Sequence, residues 1–157
     1  MRKFLALLAA IGVAITAPLS HAKLIDAKTP AAIATLVESR GWQTETVSEA
    51  GEPPYIKATR GGELYVIAFM NCTDGKNCKT LQLFMGFTDA KDVPLEKFNE
   101  WNRDRRFARA YRDEDGDPVL AMDIDLDFAG LPRENVGELF NTWTDSMESY
   151  RTFVGGE

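Results

Sequence analysis

Histidine is nearly missing from this chain: one residue in 157, His21, and it falls in an N-terminal stretch expected to be removed. Without imidazole there is no Ser-His-Asp or Cys-His catalytic pair and no His-ligated metal centre. Cysteine is scarce as well. Cys72 and Cys78 are too few for an all-thiolate zinc site, and their spacing is not the Cys-x-x-Cys of redox motifs. Positive charge is the third shortage, with 18 Lys+Arg against 24 Asp+Glu and a net charge of −6. That balance disfavours nucleic acid, whose phosphates need a basic field. No internal repeat, low-complexity run or Pro/Ser-rich linker divides the sequence. What is present, 45% apolar and 27% charged residues over this length, fits one water-soluble domain.

Long apolar runs are confined to the start. Arg2 and Lys3 precede an almost unbroken apolar stretch from Phe4 to Leu19, and Ser20-His21-Ala22 places small residues at −3 and −1 of a cut before Lys23. These are the three parts of a secretory signal peptide, predicted over residues 1–22, with a single domain over 23–157. The stretch is shorter than the ~20 apolar residues a membrane-crossing helix needs, which leaves an uncleaved anchor as the alternative. No Cys follows the cut, which argues against a lipid anchor. The expectation is an exported protein with no membrane span after processing. Loss of Arg2 and Lys3 from the 18 basic residues, with all 24 acids kept, takes the net charge to −8.

In an oxidising compartment, an even and closely spaced pair such as Cys72 and Cys78 reads as a disulfide. Leu64–Met70 and Thr80–Gly86 both read as strands, and the segment between them carries the Asp74-Gly75 turn signal. The bridge then staples the tip of a hairpin.

Along the rest of the chain, Thr29-Pro30 opens a helix with an Ile33, Leu36, Val37 stripe, and Gly41 stops it. Trp42–Val47 alternates weakly, and Tyr55–Thr59 is a short strand linked through Gly61-Gly62 to the strand at Leu64. Asp92-Val93-Pro94 opens a second helix, with Leu95, Phe98, Trp101 and Arg105 on one face. Phe107–Arg112 and Pro118–Phe128 form another hairpin. Pro132 opens a last helix whose stripe runs Val136, Leu139, Phe140, Trp143, Met147, Tyr150, Val154. The order α-β-β-β-β-α-β-β-α predicts an α+β fold, helices packed on an antiparallel sheet.

The block Asn99–Tyr111, followed by Asp115–Asp123, resembles the signature of the YbjN-domain family, and the Cys72-to-Cys78 hairpin with Gly75–Gln82 resembles exported members of that family. The resemblance spans nearly all of residues 23–157. It implies a fold similar to type III secretion chaperones, a bacterial source, hence a periplasmic or secreted location, and a role as a sensory-transduction regulator. The family carries no catalytic motif, so the resemblance implies no catalytic residue and no cofactor.

Two clusters carry candidate chemistry. Arg103, Arg105, Arg106, Arg109 and Arg112 crowd into a short stretch of an otherwise acidic chain. Arginine forks suit carboxylate or phosphate, so Arg103, Arg106 and Arg109 are candidates for docking a partner; pairing with carboxylates of the same chain is the competing reading. Residues 103 and 106 would share a helical face, with Arg109 and Arg112 on opposite faces of a strand. Asp123, Asp125 and Asp127 alternate with Met122, Ile124, Leu126 and Phe128, which places three acids on one strand face and the apolar set in the core. Those acids are solvated, matched by arginine or bridged by a cation. No metal site is expected, because Asp113–Asp117 lacks the spacing of a calcium loop. Trp42, Trp101 and Trp143 sit on apolar stripes and read as core.

The functional expectation is a non-enzymatic regulatory or protein-binding module, with a protein partner or a second copy of the chain on an exposed apolar patch. The alternatives are a carboxylate-dependent hydrolase and a binder of small ligands or cations in the cell envelope.

Overall fold

The computed structural model describes residues 23–88, 90 and 93–155. The predicted signal peptide and Asp92 lie outside the described residues. Helix α1 (Pro30–Glu38) starts at Thr29 with proline at its first turn, and strand β1 (Leu24–Ile25) precedes it. Strands β2 (Gln43–Val47), β3 (Tyr55–Arg60), β4 (Glu63–Met70) and β5 (Thr80–Gly86) follow. Helix α2 (Leu95–Asp104), strands β6 (Arg109–Arg112), β7 (Pro118–Asp125) and β8 (Leu131–Pro132), and helix α3 (Arg133–Gly155) complete the chain. The predicted order holds, with β1 and β8 added as a two-residue ladder.

The main sheet has six antiparallel strands in the order β2-β3-β4-β5-β7-β6. Period-two alternation gives it two unlike faces. One face carries Ile56, Ala58, Tyr65, Ile67, Phe69, Leu81, Leu83, Leu120, Met122 and Ile124, all buried against the three helices. Helix α3 supplies Val136, Phe140, Trp143, Met147 and Tyr150 to this core at alternating steps of four and three residues, the spacing of one helical face. Aromatic edges tie helix to sheet: Tyr65 meets Trp42 at 4.7 Å and Trp143 at 5.8 Å, and Tyr150 meets Trp101 at 4.8 Å and Phe87 at 5.1 Å. Each such pair adds ~0.5–1.5 kcal/mol beyond the area it buries. Burial pushes the phenols of Tyr65 and Tyr150 well above the usual tyrosine range.

Several local expectations are corrected. Leu95 was placed on the buried face of α2 but is exposed, because only Phe98 and Trp101 reach the core. The strand after α2 starts at Arg109 rather than Phe107, and β7 ends at Asp125. Phe128 therefore leaves the pleat; its φ is +61° and it is 90% exposed. Gly130, at φ +82°, lets the chain press against β1, where a Cβ would strike the Ile25 carbonyl.

At the tip of the β4–β5 hairpin, Asp74 and Gly75 both take positive φ, and Thr73 and Lys76 exchange backbone hydrogen bonds of 2.7 and 2.9 Å. Cys72 and Cys78 are joined in a disulfide. Among the described residues, no helix is long and apolar enough to cross a membrane.

Candidate functional site

Helix α2 ends at Asp104, and Arg105 is already extended, at φ −117° and ψ 151°. Arg103 and Arg106 therefore do not share a helical face, because the helix stops between them. The turn that follows is held from below. The Trp101 indole N–H donates to the Ala108 carbonyl at 3.0 Å, and the Arg105 guanidinium lies 5.6 Å from the Trp101 ring. Asn102 grips the outer edge of β6: its Nδ2 donates to the Ala110 carbonyl at 2.9 Å, and its Oδ1 accepts the Ala110 N–H at 2.8 Å. These anchors push Phe107 outward at φ +75°, 62% exposed, with the Arg106 guanidinium 5.0 Å from its ring centre.

The three candidate arginines differ in their circumstances. Arg103 forms a two-pronged pair with its neighbour Asp104, at 2.7 and 2.8 Å, and this bond holds the Asp104 carboxyl below the usual range. Arg109 pairs with Asp123 across the β6–β7 ladder. Arg106, among the described residues, meets an aromatic ring and no carboxylate. Arg112 lies on the other face of β6 from Arg109; it donates to the Val93 carbonyl and covers the Phe98 ring.

Asp123, Asp125 and Asp127 do not share one strand face as expected, because β7 ends at Asp125 and leaves Asp127 beyond it. Asp123 accepts from Gln82 Nε2 at 2.8 Å in addition to Arg109. Asp127 pairs with Lys79 at 3.4 Å and accepts the Phe128 N–H at 2.7 Å; the backbone bond is the main reason its carboxyl lies below the usual range. Among the described residues, no group of three or more His, Cys, Asp or Glu is placed to hold a metal ion. Asp104 and Asp127 are both held ionised. A general acid needs the opposite displacement.

Carboxylates from two elements do line one groove, which the sequence pattern did not single out. About 590 Å³ opens between the β3–β4 turn and α3, lined by Arg60, Glu63, Asp145, Glu148 and Arg151 among others. Glu63 is ion-paired there with Arg151. These residues are far apart in sequence, and only the docking of α3 brings them together.

Among the described residues, no helix packs on the second face of the main sheet. Tyr55, Val66, Ala68 and Phe84 are half-buried there, Leu64 and Met70 are exposed, and Val119 and Ala121 are buried apart from the main core.

No curated protein and no solved structure matches the chain. A family model does match, over residues 29–155, and its family is described as "Putative bacterial sensory transduction regulator". The matched span runs from the cap of α1 to the last residue of α3 and takes in the arginine-rich turn, the stapled hairpin and the whole main sheet, so the chain belongs to the YbjN family.

Proposed function

We propose that the chain acts as an exported regulatory module without catalytic chemistry of its own, meeting an acidic segment of a protein partner through the turn between α2 and β6. The observation that carries this reading is Phe107 with Arg106. An exposed aromatic ring in a left-handed backbone, beside a cation that no carboxylate among the described residues neutralises, offers both apolar contact and charge in a largely acidic protein. Arg103 and Arg109 flank this point, and each can exchange its present carboxylate for a partner's at small cost, because exposed ion pairs are weak and screened by solvent. Membership of a family described as regulators supports the same reading at a coarser level. A periplasmic or secreted location fits the predicted signal peptide and the disulfide.

The test is retention from bacterial envelope extract on the immobilised, disulfide-intact protein. A partner held at low salt and released as salt rises is expected, as screening demands. The Arg106→Glu, Phe107→Ser variant replaces no core residue, so its melting midpoint should stay unchanged while retention is lost. Equal retention by this variant would overturn the proposal. If Arg103, Arg106 and Arg109 instead only balance carboxylates of their own chain, replacing all three by Ala lowers stability and leaves binding by the folded fraction intact.

A further inference from the structure

The face of the main sheet that no described helix covers carries a charge layout that complements itself. One cross-strand row runs through all six strands: Glu45 opposite Lys57, Lys57 opposite Val66, Val66 opposite Phe84, Phe84 opposite Ala121, and Ala121 opposite Arg109. The row is acid and base at one end, three apolar residues in the middle, and base at the other end. The adjoining row reads Val47, Tyr55, Ala68, Gln82, Asp123. At ~4.8 Å per strand the row is about 24 Å wide.

We propose that this face is the interface of a homodimer, closed by a two-fold axis running along the strands between β4 and β5. That axis exchanges β4 with β5, β3 with β7 and β2 with β6. It lays Val66 on the partner copy's Phe84 and seats Glu45 opposite the other copy's Arg109. Lys57 then faces Ala121 and the adjacent Asp123. Every charged end meets its opposite, as an isologous contact requires, and two twisted antiparallel sheets stack this way in sandwiches. A second copy also accounts for the apolar content of the face. Leu64 is 45% and Met70 42% exposed, beside half-buried Tyr55, Val66 and Phe84, a contiguous surface of the kind that marks an association site. Strands of four to eight residues make the face roughly 20 Å long, so two copies together cover on the order of 1,000 Å², the lower bound for a specific interface. The turn bearing Arg106 and Phe107 precedes β6 and lies outside this row, and Arg109 is the residue that the dimer and the proposed partner site share.

Sedimentation and light scattering on the full-chain product test this directly. Twice the single-chain mass is expected at about 100 μM, with dissociation on dilution. Phe84→Arg should give the single-chain mass with an unchanged circular-dichroism spectrum, since Phe84 lies outside the main core. Charge reversal supplies a test that misfolding cannot mimic. Glu45→Arg and Arg109→Glu should each weaken the dimer about tenfold, and the two together should restore it to within a few-fold. A single-chain mass for the unaltered protein at that concentration, dimerisation that survives Phe84→Arg, or a double variant no better than the single ones would each overturn the proposal. Phe84→Arg leaves Arg103, Arg106, Phe107 and Arg109 in place, so its mass and its retention of an envelope partner let the two proposals fail separately.

Discussion

Asp127 shows how a half-buried acid is held in its ionised form by its partners. Its carboxylate accepts the Phe128 N–H and faces Lys79, so the folded state favours the ionised form. Asp104, bonded to Arg103, is displaced the same way. For a carboxyl whose folded pKa is depressed, the stabilisation is present above the unfolded value, about 4, and is lost as pH falls through the folded value. Melting midpoints should therefore fall between pH 5 and pH 2 more steeply for the unaltered protein than for the Asp104→Asn, Asp127→Asn variant. Parallel curves would show that these contacts are fully screened. At this scale much was readable beforehand: Trp42, Trp101 and Trp143 are all buried, as their place on apolar stripes required. The left-handed backbones of Phe107 and Phe128 were not readable, because aromatic residues have no preference for φ above zero. Anchors elsewhere impose them, such as the Trp101–Ala108 bond beneath Phe107.

Between α2 and β6, a single side chain finishes an edge. Strand β6 is the last in the main sheet, and the outward N–H and C=O of Ala110 would be open to another chain's strand. The Asn102 amide supplies the acceptor and the donor that a seventh strand would have supplied. Asn102→Ala should lower stability by about 1–3 kcal/mol, since it leaves two backbone groups of a buried residue unpaired. It should also raise the tendency to aggregate through that edge, which turbidity on heating would detect. Asn102→Asp keeps the acceptor and loses the donor, so an intermediate effect is expected. Periodicity located both elements, yet their boundaries differ by two residues at Phe107 and by three at Phe128. A hydrophobic pattern reports which face is buried, whereas the end of an element is set by hydrogen bonds such as these.

For the molecule as a whole, the Cys72–Cys78 bridge closes a short loop at one end of the sheet, far along the chain from the packing of α3. Reduction should lower the melting midpoint by the equivalent of about 2–3 kcal/mol and leave the fold otherwise cooperative. Two titratable thiols in protein isolated from the envelope would contradict a structural role for the bridge.

The fold class, the element order, the stapled hairpin and the family were all legible in the linear chain. Each rests on neighbours in sequence: alternation within a strand, stripes within a helix, Asp-Gly at a turn, an arginine-rich block at fixed spacing. Which arginines are occupied was decided only in three dimensions. Arg103 meets the adjacent Asp104, Arg109 meets Asp123 across a ladder, and Arg106 is left beside an aromatic ring. The self-complementary row from Glu45 to Arg109 belongs to the same class. It joins residues from six separate strands, and strand order places β7 between β5 and β6. Pairing across a sheet depends on which strands the packed helices hold side by side, and no local pattern carries that information.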